Sequence, residues 1–355
     1  MRNRRTIQNT VHPNLGRGRR FLITALVFAA CCIAGPGPVA ADEPTLESPR
    51  PKIEASEPHD QNSKLEPGLT AEQSGDGVLV REHDRPVLFY QRSPKSLNGK
   101  WRRSGYLHPV HDLEGRVITE DFPEDHRHHR GIFWAWHQVW VGDQRIGDPW
   151  LCQDFDWEVQ SISTNASATP LIIDAHVHWK SKQWTDSAGE SLPIVDERTR
   201  IIVHRQSEHS RCIDFDISLL AVAENVRIGG SEDEKGYGGF SPRIQMTPAR
   251  EFRFPSETVK PIKTAVRGGP WVDMSNEQNG IAIMSHPENP SLDTGQPWIL
   301  RKGRSMQNAV YPGRDPVTLD KDVPTRLRYR LVIHDGVRSG TELQKLYDEY
   351  VVSGG

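Results

Sequence analysis

The stretch LIIDAHVHW, residues 171–179, decides the fold class, because its apolar residues stand at every second position. Leu171, Ile173 and Val177 would point to one side of an extended chain, and the residues between them would point to the other side. This period of two is typical of a half-buried β-strand and not of a helix. The sequence therefore predicts a strand over residues 171–179 that packs on a core through one face.

The same pattern of short apolar runs and turn residues continues on both sides of this stretch. The 29 Gly and 26 Pro supply many turns. No segment of a dozen residues between the first hairpin and the last strand keeps a period of 3.6, which disfavours βαβ units and a parallel sheet. The further predicted strands are Val78–Arg81, Pro86–Gln91, Ile132–Val141, Arg200–Arg205, Cys212–Leu220, Ile244–Met246, Glu251–Phe254, Gly280–Ser285 and Leu327–His334.

We therefore predict an all-β fold, one large antiparallel β-sandwich that ends in a short C-terminal helix. The helix is predicted over Thr341–Val351, where Leu343, Leu346, Tyr347 and Tyr350 lie on one helical face. No internal repeat recurs at a fixed spacing, which argues against a propeller or a solenoid.

The N-terminus has the layout of a secretory signal. Residues 1–20 carry six Arg and no acidic residue, and the apolar run FLITALVFAACCIA follows at 21–34. This run is shorter than the about 20 residues that a membrane-crossing helix needs. We expect residues 1–41 to be a signal peptide and the mature chain to be periplasmic or extracellular, with no transmembrane segment. A lipid anchor at Cys31 is the alternative.

The next residues, 42–75, are predicted to be a disordered linker, because they are rich in Pro, Glu and Ser and have no hydrophobic period. Residues 76–355 are predicted to be a single domain. Its two cysteines, Cys152 and Cys212, form either a disulfide or two buried thiols. The net charge is −3 and basic residues are interspersed with acidic ones after residue 20, so no nucleic-acid partner is expected.

The densest polar segment is DFPEDHRHHRG, residues 121–131, which we predict to be a loop leading into a strand. Histidine exchanges protons near neutral pH, and neighbouring carboxylates would orient the ring and raise its pKa. His128 and His129 are therefore the predicted acid–base residues. Glu120 or Asp121 is expected to orient or pair them. The alternative is a solvated loop without function.

Aromatic residues follow this loop directly. Trp134 and Trp136 share one face of the next predicted strand and are expected to stack on a sugar ring, although core packing is an equal alternative. The segment EKGYGGFSPR, residues 234–243, adds hydrogen-bond donors and glycines that let a ligand approach the backbone. The predicted substrate-binding residues are His108, Arg130, Trp134, Trp136, Lys235, Tyr237, Arg243 and His286.

A metal site is the alternative use of the histidines. His126 and His128 form one H-x-H pair, and His176 and His178 form another on one face of a strand. Glu120 or Asp121 could complete a set of two histidines and one carboxylate. The sequence contains no HExxH and no CxxC motif. We predict no cofactor, with a divalent metal ion at these four histidines as the alternative.

Five segments together resemble a little-studied bacterial family labelled "methane oxygenase PmoA". They are YLHPVHDLEG (106–115), TEDFPEDHRHHRGIFWAW (119–136), EKGYGGFSPR (234–243), WVDMS (271–275) and IAIMSHPENP (281–290). The resemblance spans about residues 77–351 and is most specific at HRHHRG and KGYGGFSPR. The label borrows the name of a membrane subunit with several transmembrane helices, which this sequence lacks after the signal, so methane oxidation is not carried over.

The resemblance implies an exported domain similar to proteins found among carbohydrate-degrading sets. By analogy of fold, a large sandwich with His, carboxylate and aromatic residues looks like the galactose-mutarotase supersandwich group. The predicted function is an exported carbohydrate-acting protein, a hydrolase, lyase or epimerase, with a small saccharide or glycan as partner. A metal-dependent oxidoreductase and a non-catalytic glycan-binding module are the alternatives. Substrate, reaction type and oligomeric state stay open.

Overall fold

The computed structural model describes residues 68–165, 168–247, 249–290, 295–303 and 305–354. The described residues all belong to one compact unit. The predicted signal peptide and most of the predicted linker lie outside the described residues. Within the described ranges, no helix has the length and apolar character needed to span a membrane.

The regular secondary structure of the described residues consists of β-strands and one helix. The first twelve strands are β1 (Leu69–Gln73), β2 (Gly77–Glu82), β3 (Arg85–Gln91), β4 (Lys95–Leu97), β5 (Lys100–Arg103), β6 (Tyr106–Val110), β7 (Ile132–Trp136), β8 (Gln138–Val141), β9 (Gln144–Arg145), β10 (Asp156–Thr164), β11 (Leu171–Thr185) and β12 (Ser191–Val203). The others are β13 (Ser210–Ala221), β14 (Val226–Gly229), β15 (Gly238–Pro242), β16 (Glu251–Arg253), β17 (Thr258–Val259), β18 (Val266–Gly268), β19 (Trp271–Ser275), β20 (Asn279–Ser285), β21 (Gln296–Ile299), β22 (Asn308–Val310), β23 (Val317–Thr318) and β24 (Thr325–Asp335), before helix α1 (Gly340–Ser353).

Two nine-stranded antiparallel sheets dominate the fold. Sheet 1 has the order β1-β2-β3-β6-β7-β15-β22-β21-β18, and sheet 2 has the order β10-β11-β12-β13-β24-β20-β19-β16-β17. A four-stranded sheet, β23-β14-β8-β9, and the hairpin β4-β5 complete the architecture. The predicted antiparallel all-β fold is confirmed.

Sheets 1 and 2 pack face to face through aromatic side chains. The ring centroids of Trp136 on β7 and Trp179 on β11 lie 5.4 Å apart. Those of Phe240 on β15 and Phe215 on β13 lie 5.0 Å apart. All four side chains are buried. The core of the sandwich therefore lies between these two sheets, as the sequence predicts.

Strand β11 shows how the alternation works. The side chains of Leu171, Ile173, Val177 and Trp179 are buried in the core, and those between them are half-buried on the outer face. The prediction for residues 171–179 is confirmed, and the strand continues to Thr185.

The C-terminal helix is also confirmed. Ser339 accepts a hydrogen bond from the backbone N–H of Glu342, whose side chain accepts one from the N–H of Ser339, a capping box that fixes where the helix begins. Leu343, Tyr347 and Tyr350 pack on the outer face of sheet 2. Helix α1 therefore covers the part of this face that is formed by β19, β20 and β24.

Two predicted boundaries are wrong. Strand β1 lies inside the predicted linker 42–75, because its sequence LTAEQ has one large apolar residue and is extended through pairing with β2. Ile244–Met246 is not a strand, and Ile244 makes only an isolated bridge to Thr119.

The two cysteines of the domain are unpaired thiols. Burial raises the pKa of Cys152, and it raises that of Cys212 to about 11. The disulfide alternative is therefore not realised in this fold.

Candidate functional site

The strand that follows the histidine-rich loop has two faces of different chemistry. On β7, Trp134 and Trp136 point into the core, so Phe133, Ala135 and the next residue, His137, point to the outer face of sheet 1. A separate apolar group covers that outer face and consists of Tyr106, Phe133, Ala135, Trp150, Ile299, Met306 and Val310. We call this group the outer cluster. The side chains of the candidate site pack on this outer cluster.

The predicted stacking role of Trp134 and Trp136 is wrong. Their exposed fractions are 1% and 0%, and the indole N–H of Trp136 donates to the carbonyl of Tyr311 at 2.7 Å. Alternation correctly places both rings on one face, but that face is the core. Neither indole can meet a sugar in the folded protein.

The histidine-rich loop packs over the outer cluster. The ring centroid of His129 lies 4.6 Å from those of both His126 and His128, and His129 is 2% exposed. Nη1 of Arg243 donates to Nδ1 of His129 at 3.1 Å, so this imidazole is neutral with its proton on Nε2. His129 is thus enclosed between its neighbours, and His128, which is half-buried, is the more accessible of the two predicted acid–base residues.

Burial lowers the pKa of these imidazoles, so the predicted increase is wrong. Burial first, and the neighbouring His126 second, lower the pKa of His128 to about 4. Burial and the adjacent His128 lower the pKa of His129 well below its usual value. The carboxylate of Asp148 acts in the opposite direction on His128 but does not offset the burial. Both rings are neutral at pH 7.

The carboxylates that were predicted to orient these rings bind arginines. Oε2 of Glu120 accepts a hydrogen bond from Nε of Arg243 at 2.8 Å. Asp121 accepts one from Nη1 of Arg130 at 2.9 Å and one from Lys95 at 2.8 Å. Burial acts to raise the pKa of Asp121, but Arg130 and Lys95 outweigh it and lower that pKa. Asp121 is therefore an ionised partner of two cations and not of a catalytic imidazole.

Arg130 and Arg243 fix the loop and do not face a ligand, contrary to prediction. Both are 0% exposed. The guanidinium of Arg130 lies 3.3 Å from the ring centroid of Phe122, and Arg243 also binds both oxygens of Asp125 at 2.8 and 3.0 Å. Arg130 binds Asp121 and the backbone carbonyl of Lys95, and Arg243 connects the end of β15 to the loop. The two arginines therefore hold the loop in one conformation.

A His–Asp pair that was not predicted from the sequence also lies on this face. Nδ1 of His137 lies 2.9 Å from Oδ2 of Asp148, and the two side chains are 17% and 15% exposed. The His137 ring stacks on Trp150 with centroids 5.3 Å apart and an interplanar angle of 22°. Asp148 is fixed by the N–H of Leu151, which donates to Oδ1 at 3.0 Å. The pair is held in place and remains within reach of a small ligand.

Tyr237 and Lys235 lie beside this pair, where a substrate-binding role was predicted. The Tyr237 ring is half-buried and its centroid lies 5.6 Å from that of Trp150. Lys235 lies 5.5 Å from the Tyr237 ring and binds Asp233 at 2.7 Å. Arg301 donates to the Tyr237 hydroxyl. Arg301 therefore belongs to the site, although a lone arginine in a sequence usually covers the protein surface.

The other two predicted ligand-binding histidines, His108 and His286, lie on different sheets, with His108 in β6 of sheet 1. Nδ1 of His108 lies 3.0 Å from Oγ1 of Thr119, and burial lowers the pKa of His108 to about 4. His286 follows β20 of sheet 2, is 4% exposed and has its ring centroid 5.3 Å from that of Tyr350 in α1. The prediction that His286 joins the imidazole cluster is wrong, because it packs on the other sheet.

The two H-x-H pairs of the metal alternative lie on different sheets. His126 and His128 lie in the loop over sheet 1, whereas His176 and His178 lie on the outer face of β11 in sheet 2. Packed sheets lie about 10 Å apart, so one ion cannot contact both pairs. Among the residues that the structure describes, the group with metal-ligating proximity is His176, His178 and Asp196.

These features define an antiparallel β-sandwich protein that carries a His–Asp pair and aromatic rings on the outer face of one sheet. The chain belongs to the family of unknown function DUF6807, whose profile matches residues 77–348. The description of that family contains no activity and does not carry the methane oxygenase label. Among curated proteins, none matches this chain.

Several solved structures are similar to the chain. A "putative mutarotase (YeaD)" from Salmonella typhimurium has 9% identity and a TM-score of 0.36, over 77% of this chain and 95% of that one. The heparan sulfate lyase HepC from Pedobacter heparinus has 9% identity and a TM-score of 0.36, over 77% of this chain but only 36% of the lyase. At these TM-scores the likeness establishes neither the fold nor the function of the present chain. The fold is established by the chain's own strands and sheets.

Proposed function

We propose that this chain is a carbohydrate-acting enzyme that transfers protons on a sugar by acid–base catalysis. The observation that carries the proposal is the hydrogen bond between His137 and Asp148. A carboxylate that accepts from Nδ1–H leaves the lone pair of Nε2 free to take a proton, and it stabilises the imidazolium that forms. His137 is the proposed base, and Asp148 orients it.

His128 is the proposed second polar contact for the sugar. His137 lowers and Asp148 raises the pKa of His128, which indicates that the three side chains lie close together. Because its pKa is about 4, His128 is neutral at pH 7 and has one N–H donor and one acceptor nitrogen. It can hydrogen-bond to a hydroxyl group but is a weak base. This division of roles makes His137 the residue that is protonated during the reaction.

The surroundings of the His–Asp pair suit a saccharide. The cations of Lys235 and Arg301 lie 5.5 and 5.6 Å from the centroid of the half-buried Tyr237 ring, so an aromatic side chain and hydrogen-bond donors for hydroxyl groups meet beside the pair. Export, predicted from residues 1–41, is part of this proposal, because it would bring the enzyme to saccharides outside the cytoplasm.

The reaction type that the site supports best is epimerase-like or lyase-like proton transfer. Most glycoside hydrolases use two carboxyl groups placed on either side of the bond that they cleave. In this loop Glu120, Asp121 and Asp125 all bind arginine, which favours their ionised forms and a structural role. An imidazole base without such a carboxylate pair fits removal of a proton from a sugar carbon or hydroxyl group.

Proton exchange in D2O tests the proposal. The full-length protein is incubated with neutral sugars and with uronate-containing oligosaccharides. NMR follows anomer interconversion and deuterium uptake at carbon, and ultraviolet absorbance follows the unsaturated product of β-elimination. We expect one of these reactions with the wild type, and a rate at least about 100-fold lower in His137→Gln.

The matched control is His209→Gln. His209 contacts Asp335 through Nδ1 at 3.0 Å, a similar contact to that of His137, but the pair is exposed and outside the site. This variant should keep the wild-type rate. Equal rates in His137→Gln and the wild type would contradict the proposal, and saturable sugar binding with no reaction would indicate a glycan-binding module instead.

A further inference from the structure

The outer face of sheet 2 carries a second group of reactive side chains. Helix α1 covers β19, β20 and β24 on this face, whereas outward-facing side chains of β10, β11 and β12 are half-buried or exposed. The H-x-H spacing places His176 and His178 side by side here, with ring centroids 4.8 Å apart. Two imidazoles are therefore held together on the opposite side of the core from His137.

Asp196 completes a set of three across the strand pair. The antiparallel register places Asp196 opposite His178 and Arg198 opposite His176. One ligand atom from each of His176, His178 and Asp196 lies within 4.8 Å of the other two. Oδ1 of Asp196 lies 3.0 Å from Nε2 of His176. Two nitrogens and one carboxylate oxygen thus meet on paired strands, which restrict how far their backbones can move apart.

The contact between His176 and Asp196 is incomplete. Nε2 of His176 is buried, and the angles at its contact with Asp196 do not form a hydrogen bond. A buried polar atom without a partner costs free energy. A cation placed between this nitrogen and the carboxylate oxygen would bind both.

We propose that His176, His178 and Asp196 bind a divalent transition-metal ion of the zinc class. Two imidazole nitrogens and one carboxylate oxygen are a donor set that Zn²⁺ takes, with a fourth position open. Zinc bonds of about 2.0–2.2 Å require ligand atoms about 3–3.5 Å apart. Small side-chain rotations bring a set that already lies within 4.8 Å to that spacing.

A small ligand on the ion would have room beside His176. A groove of about 380 Å³ adjoins His176 and is lined by Ser161, Asp174, Arg198 and Arg200 among others. Nε of Arg198 donates a hydrogen bond to Oδ1 of Asp196 at 3.2 Å, which the ion would replace, and the Arg198 side chain is 65% exposed and can turn away. On the other side Lys180 binds Glu158. The fourth position of the ion is therefore expected to take water or a small anion from the groove.

Zinc titration of the metal-free full-length protein without a tag tests the proposal. Isothermal titration calorimetry should give one zinc equivalent more for the wild type than for the double variant His176→Gln/His178→Gln. Asp196→Asn should weaken this equivalent by about 100-fold or more, because even outer-shell changes weaken metal sites by about 10–100-fold. Zinc should also raise the melting temperature of the wild type.

The matched control is His83→Asn, which removes an imidazole from the turn between β2 and β3. His83 has a positive φ of 52°, a conformation that Asn tolerates. This variant should keep the wild-type zinc stoichiometry. Equal stoichiometry in the wild type and the double variant overturns the proposal. If the double variant does not fold, Asp196→Asn decides: unchanged zinc affinity in that variant overturns the proposal as well.

Discussion

Nδ1 of His137 and Oδ2 of Asp148 lie 2.9 Å apart, because the β8–β9 hairpin between them in the chain brings its two ends together. Trp150 stacks on the imidazole and is itself anchored by a hydrogen bond from its backbone N–H to the carbonyl of Trp136 at 2.9 Å. Because both the acceptor and the ring are held, the orientation of His137 does not depend on a ligand. This preorganisation is what an acid–base residue requires.

Asp148→Asn tests the orienting role. The amide has nearly the same shape, but it carries no charge to stabilise an imidazolium and does not fix the tautomer of His137. We expect kcat for the sugar reaction to fall about 10²–10⁴-fold, with little change in KM. Steady-state kinetics measure both constants. An unchanged kcat would show that His137 works without its carboxylate.

Arg243→Met tests how the histidine-rich loop is held. The change leaves Glu120 and Asp125 without their shared cation and His129 without its donor. We expect the free energy of unfolding to fall by about 3–5 kcal/mol, as measured in urea.

Arg200→Gln is the control for this prediction. Arg200 binds Asp174 at 2.8 Å, but the two side chains are 54% and 44% exposed. Loss of such a pair costs at most about 1 kcal/mol. Similar losses in the two arginine variants would mean that the buried cluster around Arg243 adds no more stability than a surface pair.

Acid should destabilise the protein through His108 and His128. Burial lowers the pKa of each to about 4, from 6.5 in the unfolded chain. Between these values the unfolded chain binds more protons, so the stability that each neutral ring contributes is complete above pH 6.5 and is lost as the pH falls towards 4. The free energy of unfolding should fall by up to about 1.4 kcal/mol per pH unit for each ring.

Urea unfolding between pH 7.5 and pH 4.5 measures this dependence. His128→Gln removes one of the buried neutral rings and should make the dependence on pH shallower. An identical slope in the variant and the wild type would contradict the buried neutral state of His128.

Trp136→Ala tests the assignment of this indole to the core. The change removes the contact with Trp179 and the hydrogen bond to Tyr311, and we expect a loss of about 3–5 kcal/mol in unfolding free energy. Tyr237→Ala, on the outer face, should instead raise KM for the sugar about tenfold with a smaller loss of stability. A stable Trp136→Ala variant with weakened sugar binding would restore the stacking role.

The sequence predicts strands correctly where apolar and polar residues alternate along the chain. Residues 171–179 are the clearest case, since every second side chain is in the core. Strands β1 and β15 were not predicted, because LTAEQ and GGFSP lack a run of large apolar residues. Pairing with β2 and β7 holds them extended, and such non-local pairing leaves no periodic signal in a short segment.

The candidate site was predicted only in part, for a related reason. Alternation places Trp134 and Trp136 on one face but does not tell which face is the core. The charges of the loop were visible, yet their partner Arg243 lies more than a hundred residues further along the chain. The His137–Asp148 pair depends on the short β8–β9 hairpin, whose Gly142-Asp143 turn is visible in the sequence but does not show that the side chains on either side of it meet. The sequence therefore shows which side chains are available for a site, but it does not show which of them contact each other.

The packed interior between Trp136 and Trp179 has a consequence for engineering this protein. It separates His137 and Asp148 from His176, His178 and Asp196 by the thickness of both sheets, more than the distance over which substitutions usually influence each other. Changes on one side should then combine additively with changes on the other, to within about 0.5 kcal/mol. The outer faces of the two sheets can therefore be expected to tolerate redesign independently of each other.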